Sequence, residues 1–112
     1  MEAQDYLPLT ETSFFILLSL AITPKHGYGI IKDVELMSTG RVVLAAGTLY
    51  TALRRMLEDG WIERLEDENP NQESRERKLY MLSDLGHRIF ELDTQRLQSM
   101  VHLTRTRLNE RQ

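Results

Sequence analysis

The last thirty residues set the strongest limit on what this chain can become. Ser83 is a residue type that caps helices, and apolar residues recur from there at helical spacing to about Arg111. A helix of that length runs about 43 Å at 1.5 Å per residue. A compact domain of this chain length is only roughly 34 Å across, so the rod overhangs its own domain. Its apolar residues fall in two stripes: Leu85, Ile89, Leu92, Met100 and Leu103 in one, Phe90, Leu97, Val101 and Leu108 in the other. Together they cover about half the circumference, wider than one docking seam needs. One stripe is expected to face the domain and the other a second copy of the chain, and all these residues are expected at a dimer interface of the common two-fold kind. Asp93 and Arg96, one turn apart, interrupt the arc and are expected to pair rather than be buried alone.

The residues before this rod divide into short elements. Thr10 caps a first helix with Phe14, Leu17, Leu18 and Ala21 at helical spacing, and Pro24 stops it. A second helix spans about 28–39 with Ile30, Ile31, Val34 and Met37 as its apolar positions, and Gly40 ends it. The β-branched run Val42, Val43, Leu44 reads as a minor strand. A third helix, about 46–59, carries Leu49, Leu53, Met56 and Leu57 on one face and Thr48, Thr51, Arg54 and Arg55 on the other. Gly60 closes it. Residues 61–66 and 75–82 read as two strands around a turn at Asn69, Pro70 and Asn71. Apolar residues lie on both faces of the second strand, so its inward side is not set by pattern. The order is helix, helix, strand, helix, hairpin, long helix. The expected fold is mainly α with a small β-hairpin: a winged helix-turn-helix over 10–82 and a long C-terminal dimerisation helix over 83–111.

Composition excludes more than it selects. The chain has no cysteine, which removes disulfides and thiolate metal sites and fits a reducing cytoplasm. No apolar run approaches the length of a membrane span. His26, His87 and His102 lack ligand spacing, and no catalytic grouping stands out, so neither cofactor, metal nor enzymatic activity is expected. The net charge of −3 argues mildly against a nucleic-acid coat, yet residues 41–64 hold four bases against three acids.

Three segments carry a resemblance: PKHGYGI at 24–30, GTLY at 47–50 and LRRMLEDGWI at 53–62, followed by RKLYMLSDLG at 77–86. Over about residues 10–90 they closely resemble the PadR family of bacterial transcriptional regulators, in its short form with one helix after the wing. The resemblance implies a homodimeric repressor, often relieved by a small ligand. Members commonly have Ser-Pro before the GTLY element, whereas this chain has Ala45 and Ala46. That loses a side-chain cap worth about 0.5–2 kcal/mol.

The candidate contacts to double-stranded DNA follow from both readings. Thr48 and Thr51, with Gly47 of the GTLY element, lie near the start of the third helix, where short hydroxyls suit phosphates or base edges. Arg54 and Arg55 lie two turns in. Either holds phosphate, and Arg55 is the candidate for bidentate reading of guanine. Tyr50 sits at the boundary between contact and packing. Tyr28 opens the helix that crosses the DNA backbone, and Arg75, Arg77 and Lys78 lie on the wing strand. Phe14, Phe15, Leu18, Phe90 and Met100 are candidates to line a pocket for a small hydrophobic effector, with ordinary packing as the alternative. The competing function is a winged-helix module that binds another protein.

Overall fold

The computed structural model describes residues 2–66 and 78–111. Four helices and one hairpin follow in order: α1 (Glu11–Leu20), α2 (Gly27–Met37), α3 (Ala46–Glu58), β1 (Ile62–Glu66), β2 (Lys78–Leu82) and α4 (Asp84–Glu110). A short helical turn at Ala3–Tyr6, which the sequence pattern does not announce, precedes them.

The caps are the ones the sequence names. The Thr10 side chain accepts from Ser13 N–H at 3.1 Å and starts α1. The Ser83 hydroxyl accepts from Gly86 N–H at 3.0 Å and starts α4. Gly40 and Gly60 both take φ near +80°, the left-handed conformation that lets the chain leave α2 and α3 abruptly. α1 ends at Leu20, ahead of Pro24.

One layer of side chains unites these elements. Ile16 and Leu17 of α1, Ile30 and Val34 of α2, Leu49 and Leu53 of α3 and Ile89 of α4 are fully buried together. β1 and β2 pair antiparallel, with Arg64 opposite Tyr80 and Ile62 opposite Leu82. Tyr80 and Leu82 are the inward residues of β2, which resolves the face the pattern left open.

Residues 42–44 form no strand. Ser38 Oγ accepts the Val42 N–H at 2.9 Å, holding the run in a turn, and Leu44 drops into the core beside the exposed Val43. The outer edge of β2 is met instead by Lys25, whose main chain exchanges hydrogen bonds with Tyr80 at 3.0 and 2.9 Å.

α4 divides along its length, not around its girth. Ile89, expected at a subunit interface, is 0% exposed and belongs to the core of its own chain. Leu85, Phe90 and Leu92 also pack against that core. The reason is contact with the Ala3–Tyr6 turn, α1 and β2, which cover both stripes of the helix's first half. Phe90 lies against Phe14 with ring centroids 5.2 Å apart. Beyond Leu97 every described residue is exposed. The overhang is visible in the dimensions, 63 × 33 × 22 Å, with a radius of gyration of 16.3 Å against about 13 Å for a compact chain. At the boundary, Asp93 is 1% exposed and accepts from Arg96 Nε at 2.7 Å, the pairing expected from sequence.

The joint between α3, the hairpin and α4 is built around the backbone carbonyls of Gly60 and Trp61. Ser83 N–H donates to the Trp61 carbonyl at 3.0 Å, and the Ser83 hydroxyl donates to the Gly60 carbonyl. A Cβ on Gly86 would lie 1.9 Å from the same Trp61 oxygen, so only glycine permits this approach. The Trp61 ring meets Tyr6 edge-on at 5.1 Å, which fastens the N-terminal turn to the joint.

Candidate nucleic-acid interface

α3 is amphipathic because Leu49, Leu53 and Met56 recur at helical spacing, and burying them turns the remaining residues outward. Gly47, Thr48, Thr51, Arg54 and Arg55 are all exposed. Ala45 is the N-cap and makes no side-chain hydrogen bond, so it offers the first-turn N–H groups of α3 no side-chain acceptor. No acidic residue occupies that turn.

The two arginines part company. Arg55 borders a cleft of about 480 Å³ between α3 and the N-terminal segment, together with Pro8, Thr10, Ser13 and Asp59. Arg54 does not line it.

Tyr50 is half-buried rather than presented. The hydroxyl end of its ring lies against Gly27, the buried first residue of α2: a Cβ there would be 2.4 Å from Tyr50 Oη and 2.8 Å from Cζ. The HGYG and GTLY elements are thus two halves of one contact.

Tyr28, next along α2, is 68% exposed. Lys32, which sequence reasoning passed over, stands one turn on with Nζ 5.5 Å from the Tyr28 ring centroid. The i, i+4 spacing of an aromatic and a lysine on an exposed helix face was the available signal. Arg41, in the turn between α2 and α3, pairs with Glu11. The hydrogen bond from Arg41 to that carboxylate, then its charge, hold the guanidinium above its ordinary pKa.

On the hairpin, Lys78 is half-buried, and its carbonyl accepts from His26 Nδ1–H at 3.0 Å. Arg75 and Arg77 lie outside the described residues. Among the described residues no group of His, Asp or Glu is arranged to hold a metal ion, and no helix is long and apolar enough to cross a membrane.

A three-helix core with an exposed third helix beside a β-hairpin defines the winged helix-turn-helix class of transcriptional regulators. Within it, the chain belongs to the transcriptional regulator PadR-like family, whose profile matches residues 16–92. A PadR family regulator from Clostridium difficile R20291 superposes with a TM-score of 0.71 at 24% identity, covering 88% of this chain and 99% of that one. Bacillus subtilis PadR in complex with operator DNA gives 0.64 at 20% identity, over 75% of this chain and 46% of that one. A single-site mutant of MarR from E. coli gives 0.66 at 24% identity, over 94% and 69%. No curated protein sequence matches the chain. The structural likenesses establish the fold; the profile establishes the family, which consists of regulators rather than enzymes.

Proposed function

We propose that this chain acts in the cytoplasm as a homodimeric repressor, binding an inverted-repeat operator in double-stranded DNA through the exposed face of α3. Gly47 carries the reading. It sits in the first turn of α3, where glycine is a poorer helix former than alanine by up to about 1 kcal/mol. It has no positive φ to require it, and nothing lies within 4 Å of where its Cβ would be. The chain's own packing gives Gly47 no reason to lack a side chain, whereas a partner's backbone approaching the first turn of α3 does.

A phosphate is the partner that suits this place. The uncapped N–H groups of α3 are donors to an anion, and the exposed Thr48, Thr51 and Arg54 offer further donors along the same helix. Tyr28 and Lys32 are the contacts proposed for α2, and Arg75, Arg77 and Lys78 those proposed for the wing. Arg55, on the cleft side, is the candidate for a separate base contact. Bacillus subtilis PadR, of the same fold, is known in complex with operator DNA. The dimer reading is supported by Met100, Val101, Leu103 and Leu108, all exposed on the overhanging part of α4. Two copies carry twice −3 in charge, so long-range repulsion opposes non-specific binding and local contacts hold the complex.

Selection of bound fragments from the source genome tests this directly and supplies the operator. Gly47→Ala is expected to leave the thermal midpoint equal or higher while lowering operator affinity about tenfold or more. Arg54→Ala is expected to flatten the slope of log affinity against log salt by about 0.9, the share of one phosphate. A wild-type chain that captures no fragment overturns the reading in favour of a protein-binding winged helix. Release by a small hydrophobic effector near the subunit interface completes the proposal. Such a compound must bind the released state more tightly than the operator-bound one. A panel of aromatic and amphiphilic compounds that leaves operator affinity unchanged removes this part alone.

A further inference from the structure

We infer that Tyr50 is a positioning residue, not a DNA contact: its ring, seated on Gly27, sets the angle at which α3 is offered to the operator. The inference rests on the DNA reading above and assigns Tyr50 a different part in it.

Three independent ties meet at residues 25–27. The Lys25 main chain is hydrogen-bonded to Tyr80 in both directions. The His26 ring donates to the Lys78 carbonyl at 3.0 Å. Gly27, buried, lies under the Tyr50 ring. The start of α2 is therefore anchored to β2 by three hydrogen bonds, and Tyr50 is the side chain through which α3 reaches the same anchor. A methyl group at position 27 would have to fit where Tyr50 Oη and Cζ stand, 2.4 and 2.8 Å from its carbon. α2 cannot back away without breaking the ties to β2, so the displacement falls on the phenol end of Tyr50, and because that ring is packed against the core it passes on to α3. The core beneath, with Leu49 and Leu53 fully buried, is close-packed and tolerates only a small tilt. Base recognition does not, because bidentate hydrogen bonds need their donors in register with the base edge.

The consequence separates specific from non-specific binding. Charge contacts to phosphates have loose geometry and survive a small tilt, whereas alignment in the groove is lost. Gly27→Ala is expected to lower affinity for the genome-selected operator about tenfold and to leave affinity for random-sequence duplex within about twofold. Tyr50→Phe keeps the ring beside Gly27 while removing Oη, the atom nearest to it, and is expected to lose less operator affinity than Tyr50→Ala. Tyr50→Ala removes the ring and is expected to lose about as much as Gly27→Ala. Adding Gly27→Ala to Tyr50→Ala costs nothing further, since both changes break one contact.

Equal loss in Tyr50→Phe and Tyr50→Ala overturns the inference, because the hydroxyl is then the working group. So does a Gly27→Ala variant that weakens operator and random duplex alike, or losses that add in the double variant. If Gly27→Ala does not fold, the contrast between Tyr50→Phe and Tyr50→Ala decides the matter alone. An operator bound equally by all variants defeats this inference only, whereas a wild-type chain with no operator defeats the DNA reading on which it rests.

Discussion

The two halves of α4 are one continuous helix under different physical rules. From Asp84 to Asp93 its buried face presses on the chain's own core, and Gly86 has no room even for a methyl group. From Gln98 onward every described side chain is exposed, and Leu103 is 60% exposed although its residue type favours burial. The first half is specified by intramolecular packing, where a single atom matters. The second is specified by propensity and local hydrogen bonds, and its apolar residues stand outside the chain's core. A helix end of about four turns without tertiary support is marginal in water, which is the physical argument for a second copy covering it.

Breaking the first half is expected to give the largest effect. Gly86→Ala drives a Cβ into the Trp61 carbonyl oxygen, an atom of backbone that cannot swing aside. The expected cost is about 3 kcal/mol or more, seen as a fall in Tm of more than about 10 °C by circular dichroism. A midpoint within a few degrees of wild type would mean that the joint between α4 and the hairpin gives way easily.

At the boundary, Arg96→Ala leaves the Asp93 carboxylate buried without its guanidinium. Losing one partner of a buried pair costs about 3–5 kcal/mol. Arg96 is itself one-third exposed, so about 2 kcal/mol is expected in urea unfolding, and a change below about 0.5 kcal/mol would place this pair with surface ones.

In the second half the expected effect moves from folding to assembly. Leu103→Glu with Leu108→Glu is expected to keep the helix content and the thermal unfolding of the globular part. Sedimentation is expected to fall from twice the chain mass to the 13.1 kDa of one chain. A wild-type chain already at that mass at micromolar concentration removes the dimer.

The smallest change is expected at Thr106, whose hydroxyl donates to the His102 carbonyl at 3.0 Å on an exposed surface. Thr106→Ala is expected to shift stability by less than about 0.5 kcal/mol, and a larger loss would show that the second half is more tightly held than its exposure implies.

What could be read from sequence was what is local. Thr10 and Ser83 name their helices because a cap is a bond between residues three apart. Gly40 and Gly60 name the ends because only a residue without Cβ turns left-handed cheaply. The amphipathic pattern of α3 separates Thr48, Thr51 and Arg54 from Leu49 and Leu53 through helical spacing alone. The overhang of α4 follows from counting residues, and the pairing of Asp93 with Arg96 from a spacing of one turn.

What tertiary structure decided are meetings between distant residues, which no local period encodes. Val42 to Leu44 have strand composition, but Lys25 already stands at the β2 edge, and an occupied edge takes no further strand. Ile89 and Leu103 share a stripe, yet the domain ends between them, so one is core and the other surface. Gly27, Tyr50, Gly86 and Trp61 are ordinary letters until the fold brings each glycine against its partner. Spacing along a helix determines which face a side chain takes. Only the packed chain determines what, if anything, that face meets.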